Sequence, residues 1–122
     1  MATATCASPG RPTTSSETPG RSRPPGDLLR WERNFAAPVV RDASIVADME
    51  TPPSLRGGAI TTYGLGVQVE RHGGRRTVGH GGGDPGASAY LVRYPDHDLT
   101  VAVVCNLDEI DSIGLARSVA DI

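Results

Sequence analysis

From Asp27 onward the apolar residues recur with two different periods. Leu28, Trp31 and Phe35 are spaced i, i+3, i+7, which predicts a short helix over residues 28–35. Asp27 can N-cap it and Pro38 prevents its continuation. Asp42 can cap a second helix carrying Ile45, Val46 and Met49, stopped at Pro52 and Pro53. Beyond the loop at residues 55–58 the period falls to two. Tyr63, Leu65, Val67 and Val69 alternate with Gly64, Gly66, Gln68 and Glu70, the pattern of a half-buried strand. His72-Gly73-Gly74 signals a turn, residues 76–81 return as an extended segment, and Asp84-Pro85-Gly86 is a second turn. Residues 87–94 and 99–106 are β-rich runs joined by Pro95-Asp96-His97-Asp98. Ser112 can cap a last helix whose Ile113, Ala116, Val119 and Ala120 form an apolar face. The order predicts an α+β fold: an antiparallel sheet of about four strands in meander, a C-terminal helix packed on it, and short N-terminal helices.

Composition separates this region from what precedes it. Residues 1–26 are rich in Thr, Ser, Pro, Gly and Arg, with Glu17 their single carboxylate and no Leu, Ile, Val or aromatic residue. Such a segment buries too little apolar surface to offset its ordering entropy, so a disordered leader over 1–26 and one domain over 27–122 are expected. A net charge of −2 argues against nucleic acid or an anionic membrane as partner. Apolar runs such as residues 99–105 are too short to span a bilayer, and the N-terminus lacks the apolar stretch of a secretory signal. A cytoplasmic chain is the expectation. Cys6 and Cys105 stand in different contexts and make no disulfide framework; Cys105, inside an apolar run, reads as a buried thiol. His72, His80 and His97 lack metal-ligand spacing, so neither metal nor cofactor is expected. Asp96, Asp98, Asp108, Glu109 and Asp111 read as solvated turn residues, Arg75 and Arg76 as solubilising a hairpin, and Trp31 and Phe35 as anchors of helix packing.

The chemically informative stretch is Val78-Gly79-His80-Gly81-Gly82-Gly83-Asp84-Pro85-Gly86. Glycines between strands are often only tight turns. Gly81, Gly83 and Gly86 match G-x-G-x-x-G, but a strand follows where a dinucleotide site needs a helix. His80-Gly81-Gly82-Gly83 is also similar to the oxyanion loop of lipases, yet the nearest serine, in Gly86-Ala87-Ser88-Ala89-Tyr90, lacks the last glycine of a nucleophile elbow.

The rest of the chain selects another reading. Asp27-Leu28-Leu29-Arg30-Trp31, Met49-Glu50-Thr51-Pro52, Tyr63-Gly64-Leu65-Gly66-Val67, Gly79-His80-Gly81-Gly82 with Pro85-Gly86, Ala89-Tyr90-Leu91-Val92-Arg93-Tyr94-Pro95, Val101-Ala102-Val103-Val104-Cys105-Asn106 and Leu115–Asp121 follow one another in order. Together, residues 27–122 resemble the C-terminal portion of the β-lactamase-related serine hydrolases, which include class C β-lactamases, penicillin-binding proteins and esterases. The resemblance implies a partial β-lactamase/transpeptidase-like fold and places the family's K-T-G or H-x-G strand on His80-Gly81-Gly82. His80 would then be the catalytic residue that orients substrate and shuttles protons, a task suited to histidine chemistry. Gly81, Gly82 and Gly83 would bind substrate: Gly82 allows close backbone approach, and the Gly83 N–H is half of an oxyanion hole. The plain alternative for His80 is a strand histidine satisfied by a neighbouring carbonyl.

Two other family motifs are missing. All twelve basic residues are arginine, so S-x-x-K cannot be written in these 122 residues. Tyr63, Tyr90 and Tyr94 are followed two positions later by Leu65, Val92 and Asp96, so there is no Y-x-N. The expectation is a truncated serine hydrolase that is inactive alone. An ester, β-lactam or peptide-like small substrate would be taken only once an N-terminal half completed the site. The alternative is a non-catalytic interaction module, or a fragment whose open face favours self-association.

Overall fold

The computed structural model describes residues 2–6, 25–40 and 42–122. Strands β1 (Ala2–Cys6), β2 (Gln68–His72), β3 (Arg75–Asp84), β4 (Ala87–Tyr94) and β5 (Leu99–Cys105) form one sheet in the order β1-β5-β4-β3-β2. Helices α1 (Pro25–Ala36), α2 (Ala43–Met49) and α3 (Ser112–Ala120) complete the fold. β2 to β5 are the expected antiparallel meander. Gly73 and Gly74, both at positive φ, turn β2 into β3, as a two-residue hairpin loop requires.

β1 departs from the expected disordered leader. It runs parallel to β5, from Ala2 opposite Val101 to Cys6 opposite Cys105, and so covers the β5 edge that the meander alone leaves unpaired. The remainder of the predicted leader, residues 7–24, lies outside the described residues. Cys105 is disulfide-bonded rather than a free core thiol, which corrects the sequence expectation.

The core lies between the sheet and α3. Burial along β4 alternates strictly, sending Ser88, Tyr90, Val92 and Tyr94 inward. Tyr90, Val92 and Tyr94 meet Val101, Val103 and Cys105 of β5 and the small residues Ala116 and Ala120 of α3, which let the helix lie close to the sheet. Ile113, expected in that apolar face, is exposed. Asp111 rather than Ser112 caps α3, accepting the Gly114 N–H at 2.9 Å, because a carboxylate one residue earlier reaches the free amides of the first turn. Asp42 caps α2 as expected, accepting the Ser44 N–H at 2.9 Å; these Ser44 hydrogen bonds hold its carboxyl below the usual range.

Three arginine and histidine expectations change. His72 ends β2 rather than sitting in the turn, and its Nε2 stands 2.9 Å from Asp121 beyond α3. Arg75 also binds Asp121, donates to the Ala120 carbonyl at 3.0 Å, and lies over the Tyr94 ring at 5.1 Å. Together they clamp the end of α3 to the β2–β3 hairpin. Arg76 is likewise engaged, pairing with Glu50 at 2.9 Å.

The expected strand over residues 63–70 begins only at Gln68. Gly66 adopts φ +81° and the preceding chain folds back, the Gly64 N–H donating to the Val67 carbonyl and the Leu65 N–H to the Met49 carbonyl. Alternation of side chains along residues 63–67 was therefore a pattern without a ladder. Its glycines permit the tighter path.

Candidate functional site

Residues 75–84 form one long strand, but β2 accompanies it only as far as Gly79, which stands opposite Gln68. From His80 to Asp84 the strand ladder runs to β4 alone, His80 opposite Leu91 and Gly83 opposite Ser88. The second half of β3 is thus a sheet edge, and the His80-Gly81-Gly82-Gly83 stretch lies on it.

Gly79 and the three glycines that follow His80 are not equivalent. A Cβ on Gly79 would stand 2.5 Å from the Leu91 carbonyl oxygen, and one on Gly81 would stand 3.0 Å from the Tyr90 ring. Those two are glycine because the sheet leaves no room. Gly82, by contrast, has no atom within 4 Å of where a Cβ would sit. Its missing side chain leaves open backbone at the strand edge, the condition for close approach of a ligand. Gly83 is also exposed, with only the Ala87 carbonyl oxygen at 3.5 Å from such a Cβ.

His80 is exposed, and its Nε2 lies 3.1 Å from the Tyr63 hydroxyl, the rings meeting edge-on with centroids 6.1 Å apart. Its observed partner is a phenol, not the neighbouring carbonyl of the plain alternative. Tyr63 was not singled out from sequence. It lies seventeen positions before His80, in a segment read as an ordinary strand, and only its place in Tyr63-Gly64-Leu65-Gly66-Val67 hinted at a role.

Behind His80 the same face of the sheet holds a cavity of about 140 Å³, lined among others by Trp31, Glu32, Phe35, Leu91 and Arg93. Beside it lies a buried charge cluster that sequence reasoning missed. Arg93 contacts Glu50, and its Nε lies 3.2 Å from Glu32 Oε2 without the alignment of a hydrogen bond. Glu50 also binds Arg76, and the Arg93 guanidinium sits 5.3 Å from the Phe35 ring centre. Burial pushes the Glu32 carboxyl above the usual carboxylate range, opposed chiefly by the Arg93 charge. The cluster also revises how α1 is anchored. Trp31 is 53% exposed, and Glu32 is the helix's buried residue. Its signal was present in sequence as a charge, Arg93, inside the otherwise uncharged run 87–94.

Among the described residues no three His, Cys, Asp or Glu side chains are grouped to hold a metal ion, and no helix is long and apolar enough to cross a membrane. The arrangement offers an exposed imidazole held by a phenol, a strand edge stripped of side chains, and an adjoining small cavity. Such a site can bind an acyl group and hydrogen-bond its oxygen. A nucleophile activated by lysine has no place among these residues.

Comparison with known proteins finds relatives of one kind. D-aminopeptidase of Brucella anthropi is 28% identical over 82 residues, which cover 67% of this chain and 16% of that protein. The D-aminopeptidases of Brucella ovis and Brucella abortus are each 26% identical over the same coverage. The chain therefore spans about 16% of the length of the curated relatives it matches. No solved structure matches it. The family model described as Beta-lactamase matches residues 6–121, reaching well into the segment expected to be a disordered leader. With that match across nearly the whole sequence, the chain belongs to the beta-lactamase family.

Proposed function

We propose that this chain supplies the H-x-G substrate-binding strand of a β-lactamase-related serine hydrolase and does not itself turn substrate over. The observation that carries the reading is Gly82, open on the β3 edge between the exposed His80 imidazole and the Gly83 amide. An ester, β-lactam or peptide-like substrate would lie along this edge, its carbonyl oxygen directed to the Gly83 N–H and its polar groups to His80. Completion of the site needs a serine activated by a lysine, and no lysine occurs in these 122 residues. The relatives' name, D-aminopeptidase, makes short D-amino-acid peptides and amides the first ligands to try.

Two measurements test this. The purified chain is expected to leave a chromogenic β-lactam, an acyl ester and a D-alanine anilide unhydrolysed. Titration with D-alanine amide is expected to move the backbone resonances of residues 80–83, and His80→Ala to weaken that response. Turnover abolished by His80→Ala, or ligand-induced shifts that avoid β3, would overturn the proposal.

A second reading, an interaction module that associates through its surface, is favoured by large apolar side chains left in solvent. Val39 is 89% exposed, Ile60 83% and Leu65 62%. Sedimentation that shows a monomer at every concentration tested would remove it.

A further inference from the structure

Tyr63 is held with more care than an exposed surface tyrosine needs. Its backbone N–H donates to Thr61 Oγ1 at 2.9 Å, and the same hydroxyl donates to the Tyr63 carbonyl at 3.0 Å. A bridge pairs Tyr63 with Gln68 at the start of β2. The next residue, Gly64, is buried, and a Cβ there would overlap the Met49 carbonyl oxygen, so the loop is seated against the end of α2 through a contact only glycine allows. Leu65 adds a hydrogen bond of 3.0 Å to that same carbonyl. The seat, the Thr61 clamp and the bridge fix the backbone from which the phenol reaches His80.

We infer that Tyr63 is a positioning residue that fixes the tautomer of His80, its hydroxyl donating to Nε2 so that the proton resides on Nδ1. This deepens the proposed role of His80 and rests on that role for its functional meaning. The direction of the bond follows from acidity. A phenol is a far better donor than a neutral imidazole N–H, and an imidazole nitrogen is a far better acceptor than a phenolic oxygen. Among the described residues His80 Nδ1 has no hydrogen-bond partner, and the ring is exposed. With Nε2 occupied, the group that neutral His80 offers to a ligand is the Nδ1–H donor. The complementary ligand atom is an acceptor: a carbonyl or carboxylate oxygen rather than an amine.

The test uses the ligand-free chain and needs no activity. Long-range ¹H–¹⁵N correlation of the His80 ring at pH 8.5 reads the tautomer directly. The wild-type chain is expected to be mainly Nδ1–H. Tyr63→Phe, which keeps the ring but removes the donor, is expected to shift the Nδ1–H to Nε2–H ratio roughly fivefold toward Nε2–H, the size of one net hydrogen bond. A backbone amide spectrum unchanged away from residues 61–82 shows that the variant is folded. A wild-type ring found mainly as Nε2–H overturns the inference without any variant. So does a ratio that Tyr63→Phe leaves unchanged. Because no ligand is present, this failure is distinct from failure of the proposed function, which is read by the hydrolysis assays and the D-alanine amide titration.

Discussion

Arg93 is the residue whose loss the sheet should tolerate least. Its guanidinium serves Glu32 from α1 and Glu50 from the end of α2, and the three side chains are only 10–12% exposed. Removing one partner from a buried ion pair costs about 3–5 kcal/mol, because the other charge stays desolvated. In Arg93→Met, Glu50 keeps Arg76 at 2.9 Å, whereas among the described residues Glu32 is left without a cation in contact. The lower end, about 3 kcal/mol, is therefore expected, or about 12–24 °C in Tm for a domain of this size. The deficit carries a pH signature. The Glu32 carboxyl is already raised from 4.5 by burial, with the Arg93 charge the leading opposing influence. A raised folded pKa means that this group's contribution is most favourable below 4.5 and is lost as pH rises through the folded value. Without Arg93 that value rises further, so the deficit should shrink as pH falls from 7 toward 5. Urea unfolding at both pH values measures it, and Glu32→Gln added to Arg93→Met should recover part of the loss at pH 7. A deficit below about 1 kcal/mol at pH 7, or one independent of pH, would refute the reasoning.

Three further outcomes are expected. Gly64→Ala drives a methyl group into the Met49 carbonyl and should cost about 1–3 kcal/mol by thermal unfolding, with the resonances of Tyr63 and His80 moving together. Asp111→Ala removes the side-chain cap of α3 and should cost about 1 kcal/mol, while Ser112→Ala, which removes no cap, should not reproduce that loss through the helix terminus. Asp121 is held below its usual value of 3.8, first by the hydrogen bond with His72 and then by Arg75. A depressed folded pKa gives stability that is present above 3.8 and lost as pH falls through the folded value, so Asp121→Asn should flatten the acid limb of unfolding and loosen hydrogen-exchange protection at the end of α3.

What could be read from sequence was whatever short-range pattern decides. The β4 alternation survives because each inward residue meets the core, and the Asp42 cap survives because its partner is two residues away. The His80-Gly81-Gly82-Gly83 stretch was legible for the same reason, being contiguous. Residues 63–67 show the limit. Their apolar residues alternate as in a strand, but alternation records side chains and ignores backbone, and the positive φ at Gly66 with the Gly64 seat on Met49 takes the chain elsewhere. β1 could not be foreseen from a leader without large apolar residues, because its ladder depends on the open β5 edge nearly a hundred residues away. Tyr63 and the Arg93 cluster were missed because each is defined by partners on other elements.

The Tyr63 and Arg93 misses lie on one side of the sheet, and that placement has a physical consequence. Successive side chains of a strand point to opposite faces, so β3 and β4 divide the molecule's two tasks between them. Tyr90, Val92 and Tyr94 face α3 and carry the apolar core. Val78, His80, Leu91 and Arg93 line the cavity beneath α1, where the charged cluster lies close to the open edge. Apolar burial against α3 needs no particular partner and so leaves a periodic trace in sequence. The opposite face holds its elements through paired charges and a phenol–imidazole contact, each requiring a particular atom at a particular place. A change on the α3 face should therefore lower stability while leaving the His80 ring as it is. A change at Tyr63 should alter the ring while leaving stability nearly untouched.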